Sequence, residues 1–119
     1  MITGMTATVN HPFVGEWVGK WFAESGITGE WTLTISPDGA VTGAAFDSRT
    51  GRSATMTGIV TPDGVFTYEY TYTPRTRTGK ATIAPTDGQD SIAITWRDYD
   101  EAQFPVSVGV SRLTRQKQS

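Results

Sequence analysis

The sequence predicts an all-β protein: a single eight-stranded antiparallel up-and-down β-barrel. Three observations carry this. Turn signals recur at near-constant spacing, with SPDG ending at Gly39, TPDG at Gly64 and TDG at Gly88, and each interval holds two strands and a connection. The segments between them alternate or are rich in β-branched residues, and none shows a helical period. Eight short sequential strands joined by tight turns read as a meander that closes on itself.

Each strand follows from its pattern. Residues 16–22 lie in a stretch where Gly15, Trp17, Gly19 and Trp21 share one face. Segment 30–36 puts Trp31, Leu33 and Ile35 on one face, and 40–46 does the same with Val41, Gly43 and Ala45. Pro37-Asp38-Gly39 fits a type I turn closed by a left-handed glycine, which pairs Ile35 with Val41. Segments 52–60 (Met56, Gly58, Val60) and 65–73 (Phe66, Tyr68, Tyr70, Tyr72) meet through the same turn chemistry, pairing Val60 with Phe66. Segments 78–85 (Gly79, Ala81, Ile83) and 91–97 (Ile92, Ile94, Trp96) flank Asp87-Gly88, which as a two-residue type I′ turn sets Ile83 opposite Ile92. The last strand, 104–113, is expected to turn Phe104, Val106, Val108, Val110 and Arg112 inward. Residues 1–119 form one domain, with 1–12 and 114–119 as tails.

A meander sorts its connections into two ends. The tight turns at 37–39, 61–64 and 87–88 share one end, which reads as closed. The longer, polar connections 23–29, 47–51, 73–79 and 98–104 share the other, which reads as a mouth. Binding residues concentrate on such loops above a rigid scaffold.

Strand one starts, and strand eight ends, at the closed end, so Trp17 and Arg112 are expected to meet there. With Gly15-Glu16-Trp17 and Arg112 the chain resembles the calycin superfamily of lipocalin, fatty-acid-binding and avidin-like barrels. That resemblance implies a Gly-x-Trp first strand whose indole is covered by a basic residue from the last strand. Guanidinium over indole is worth about 0.5–2 kcal/mol. Trp17 is therefore assigned to structure. Avidin-type biotin binding is not expected, because the polar set that grips the ureido ring is missing.

Trp21, Trp31, Met56, Tyr68, Tyr70, Tyr72, Trp96 and Phe104 are expected toward the mouth, facing Gly19, Gly43, Ala45, Gly58, Gly79 and Ala81. Eight strands enclose either a filled core or one small ligand, and large residues facing small ones favour a cavity. The alternative is a barrel packed solid by the same large residues. Buried tyrosine hydroxyls need partners, so some of them are expected to meet ligand or water.

Other chemistries are excluded by composition. The net charge of −2 gives no general attraction to nucleic acid or acidic membranes, and neither is expected as a partner. With no cysteine and one histidine, His11, the usual zinc sites cannot form, and His11 is expected at the surface. No Gly-x-Ser-x-Gly elbow, phosphate loop or dinucleotide fingerprint appears, so no cofactor is expected. Asp98-Tyr99-Asp100-Glu101 lacks the spacing of a calcium loop and is expected to be solvated. Arg49, Arg52 and the Arg75–Lys80 run, offset by acidic residues, suggest a salt-bridged rim or a guide for a carboxylate or enolate ligand. With no signal segment in the sequence a cytoplasmic protein is expected, the excess of arginine over lysine suggests a bacterial source, and homodimerisation stays open.

Two functions fit. One is binding of a small apolar or polycyclic aromatic molecule by Trp21, Trp31, Met56, Tyr68, Trp96 and Phe104. The other is a cofactor-free natural-product cyclase that folds a polyketide-type precursor in the same cavity, with Tyr70 or Tyr72 donating to a substrate carbonyl. Bacterial spirotetronate-forming (4+2) cyclases use similar small barrels, a likeness of architecture alone. A third, plainer possibility is an interaction module that uses a sheet face.

Overall fold

A computed structural model describes residues 12–72, 75–86 and 90–116. It contains eight strands: β1 (Gly15–Ala23), β2 (Thr28–Ile35), β3 (Ala40–Asp47), β4 (Arg52–Val60), β5 (Val65–Tyr72), β6 (Arg75–Pro85), β7 (Ser91–Tyr99) and β8 (Pro105–Arg115). Each pairs antiparallel with its sequence neighbours, and β8 returns to β1, closing the barrel. The predicted fold class is therefore the observed one. Closure leaves no unpaired edge.

Two hairpins form as their turn chemistry dictates. Ile35 pairs with Val41 and Val60 with Phe66. Gly39 and Gly64 take φ of 90° and 94°, a left-handed conformation that glycine adopts without steric cost. Ser36 and Thr61 hydroxyls bond Asp38 and Asp63, locking both turns in the same way.

The third turn differs. Ile83 faces Ile94, and Pro85 faces Ile92, so the register slips by two residues from the expected pairing. Thr86 N donates to Ser91 O at 3.0 Å, and the expected Asp87-Gly88 turn falls between these two residues. Residues 87–89 lie outside the described residues. A slip of two preserves facial parity, so Ile83, Ile92 and Ile94 are still buried.

Strand β8 shows the larger correction. Its inward residues are Gly109, Ser111, Leu113 and Arg115, in register with Ala23, Trp21, Gly19 and Trp17. Ser111 and Leu113 are fully buried, whereas Phe104, Val106 and Val110 are 66%, 44% and 47% exposed. Arg112 is exposed too. Volume is the cause. The Trp96 ring lies where a Cβ on Gly109 would stand, and Trp96 Nε1 donates to Ser111 Oγ at 3.0 Å. Valines on that face would displace the indole.

The closed end is consequently sealed by Arg115, not Arg112. Its guanidinium lies 4.4 Å from the centroid of Trp17. It also donates to the Val14 and Pro12 carbonyls and pairs with Asp90 at 3.2 Å. Trp17 is fully buried, and its Nε1 donates to Phe13 O at 2.9 Å. Thr114 and Arg115 thus belong to the last strand rather than to a tail. His11 lies outside the described residues.

Candidate functional site

Two strands reach further toward the mouth than their sequence patterns suggested. β6 begins at Arg75, and its Arg77 pairs with Tyr70. The expected 73–79 loop is thereby mostly strand, because the Arg-Thr-Arg-Thr alternation extends the hairpin ladder. β7 continues through Asp98 to Tyr99. Asp98 keeps the inward parity of Ile94 and Trp96 and is buried at 6% exposure, not solvated as expected.

A row of three residues explains Asp98. Tyr68 pairs with Gly79, and Gly79 pairs with Asp98. Gly79 has no side chain, so the Tyr68 ring crosses the space where a Cβ would be. Its hydroxyl donates to Asp98 Oδ1. From one row up, Tyr70 donates to Asp98 Oδ2 at 2.8 Å. Burial pushes the Asp98 carboxyl above its ordinary range, outweighing the two phenol hydrogen bonds and the nearby Arg77, all of which favour the anion. Burial first, and then the Asp98 charge, push both phenols above the usual tyrosine range.

Above this group the mouth encloses a cavity of about 380 Å³. Trp21, Trp31, Trp96, Tyr70 and Tyr72 line it, with Ala45 beside Trp31, Ala54 next to Ala45, and Asp47, Arg49, Arg52 and Arg77 among the other lining residues. The indoles brace one another. Trp31 and Trp96 ring centroids lie 6.1 Å apart, and Trp21 meets Trp96 edge-on at 6.1 Å. Tyr68, Tyr70 and Tyr72 stack in sequence at 6.3 and 6.1 Å, and Arg52 caps Tyr72 at 5.1 Å. The outer face around Ile59 and Thr67 carries a wider, open surface depression that is separate from this cavity.

Two of the three indole N–H groups in the wall are committed to the protein. Trp21 Nε1 donates to Phe46 O at 3.1 Å, and Trp96 Nε1 to Ser111. The Tyr70 hydroxyl, expected to face a substrate carbonyl, donates its proton to Asp98 instead. Tyr72 forms no side-chain hydrogen bond among the described residues.

Trp21, Trp31, Tyr70, Tyr72 and Trp96 therefore come together on one cavity, while three other expected site residues do not line it. Met56 is 1% exposed and Tyr68 4%, both packed in the core. Phe104 stands on the outside, its amide bonded to Asp100 Oδ1 at 3.0 Å. Asp98 and Arg77 are cavity residues that the sequence reading missed. Continuing the period of two past Trp96 points to Asp98, and continuing it back from Gly79 points to Arg77.

No family model matches the chain, and no curated protein matches it. Solved structures do share its fold. EF1p2_mFAP2b bound to DFHBI aligns with a TM-score of 0.59 at 18% identity, covering 88% of this chain and 94% of that one. A redesigned β-barrel, mFAP1, bound to DFHBI, aligns with a TM-score of 0.51 at 18% identity over 88% and 95% of the two chains. At that identity the likeness is one of fold.

Proposed function

We propose that the barrel binds one small, planar, aromatic or apolar molecule in its mouth cavity. The observation that carries this is a 380 Å³ space walled by three indoles and two phenol rings, open at the end opposite the Trp17–Arg115 seal. That volume suits a ligand of two or three rings. The Trp21 and Trp96 N–H groups are already satisfied, so the wall offers mainly ring faces and edges. The two similar barrels bound to DFHBI support this reading by analogy of fold. The Gly15-x-Trp17 strand with an arginine across its indole also supports kinship with calycin barrels.

The test is a fluorescence titration. N-phenyl-1-naphthylamine should quench tryptophan emission saturably with one site per chain. Trp31→Ala or Trp96→Ala should weaken binding by about tenfold or more, since each removes roughly 1–3 kcal/mol of ring contact. Absence of saturable quenching in the intact protein would end the proposal.

Of the two tyrosine donors that the cyclase reading invokes, the Tyr70 proton goes to Asp98, which leaves the Tyr72 hydroxyl. The binding reading is therefore the stronger.

A further inference from the structure

The cavity's charge runs against that of the chain. The protein carries a net charge of −2, yet the charged residues lining the cavity are three arginines, Arg49, Arg52 and Arg77, against two aspartates, Asp47 and Asp98. Both aspartates are already engaged. Asp47 Oδ1 accepts the Arg49 and Thr50 amides at 2.8 and 3.3 Å, and Asp47 stands opposite Arg52 in the β3–β4 register. Asp98 accepts both phenols.

Arg49 and Arg52 are exposed, and Arg52 lies over the Tyr72 ring, whereas Arg77 is set deeper than either. It is half-buried beside Tyr70 and takes part in no ion pair among the described residues. Asp98 feels its field without contacting it. A guanidinium partly removed from water next to ring faces is stabilised by an anion that supplies hydrogen bonds. Its planar fork matches an oxyanion with two acceptor oxygens.

We propose that the ligand is an aromatic acid, a planar apolar body bearing one carboxylate, sulfonate or comparable anion, with the rings among Trp21, Trp31 and Trp96 and the anion at Arg77. This rests on the binding function proposed above. A carboxylate among aromatic rings would by itself suit an organic cation. The excess of arginines decides against that class.

Three probes test it. 8-Anilinonaphthalene-1-sulfonate carries the same arylamine body as N-phenyl-1-naphthylamine plus one sulfonate, and thioflavin T is an aromatic cation. The sulfonate should bind about tenfold more tightly than its neutral parent, as expected for a charge-assisted contact. Arg77→Gln should collapse that ratio toward one, with binding of the neutral parent confirming that the variant is folded. If Arg77→Gln does not fold, the wild-type protein still decides, because sulfonate affinity should fall with added salt while that of the neutral parent should not. Equal affinities for the sulfonate and its parent, an unchanged ratio in Arg77→Gln, affinity of the sulfonate that is insensitive to salt, or tighter binding of thioflavin T would overturn the inference and leave the binding function standing. Failure of all three probes to bind would remove the binding function itself.

Discussion

Asp98 owes its place to a residue without a side chain. Gly79 leaves the gap through which Tyr68 reaches across β6 to the carboxylate on β7. Removing the acceptor should therefore cost more than a surface change. Asp98→Ala strands the buried Tyr68 hydroxyl and should lose about 1–3 kcal/mol in a urea melt. A loss below 0.5 kcal/mol, about the size of a surface substitution, would mean that the Tyr68–Asp98 bond contributes little. The carboxyl also makes stability depend on pH. Its folded-state pKa lies above the ordinary value near 4, so the native state holds its proton more tightly than the unfolded chain does. Its contribution to stability is thus greatest at low pH and falls as pH rises from about 4 through the raised value. Asparagine can accept from one phenol and donate to the other oxygen. Asp98→Asn should accordingly gain stability relative to wild type as pH rises through that window. A difference curve that is flat there would show that burial does not dominate the carboxyl.

At the scale of the element, β8 separates hydrophobicity from volume. Its valines alternate with small residues, and the small ones face inward because the Trp96 indole occupies their side of the sheet. The strand then delivers Arg115 to Trp17 and leaves Arg112 in solvent. Alanine substitution separates the two positions. Arg115→Ala should lose at least the 0.5–2 kcal/mol of its cation–π contact, with more from the freed Val14 and Pro12 carbonyls. Arg112→Ala should stay within about 0.5 kcal/mol of wild type. Thermal melts of both variants read this directly, and equal melting shifts would contradict the observed strand parity. Asp98-Tyr99 and Arg75-Thr76-Arg77 carry the same lesson. Polar composition suggested loops, while the ladder continued through them and turned one charge of each segment inward.

For the whole molecule, the barrel divides its interior by height. Trp17, Leu33, Ile35, Val60, Phe66 and Ile94 pack the closed half, and the described cavity lies among the indoles at the other end. An interior filled at one end and open at the other holds its walls rigid without a ligand, which lowers the ordering cost of binding. Binding to the folded state alone stabilises it by mass action. N-phenyl-1-naphthylamine at a hundred times its dissociation constant should raise unfolding free energy by about 2.7 kcal/mol. No shift in the denaturation midpoint at saturation would place the probe outside the folded cavity.

The amino-acid order alone was enough for the strand count, the two Pro-Asp-Gly hairpins with their registers, the location of the mouth and the aromatic character of the wall. Those features follow from local rules: glycine's left-handed turn at Gly39 and Gly64, and a period of two that puts Trp31, Tyr70, Tyr72 and Trp96 on one face. The β6–β7 register, the parity of β8 and the inward turn of Asp98 and Arg77 were decided by tertiary structure. Each depends on a partner distant in sequence: Trp96 competing for the space at Gly109, Trp17 selecting Arg115, and Tyr68 reaching Asp98 over Gly79. A strand's own alternation defines two faces but does not say which is inside. That choice falls to the volume and hydrogen bonds that the neighbouring strands leave available.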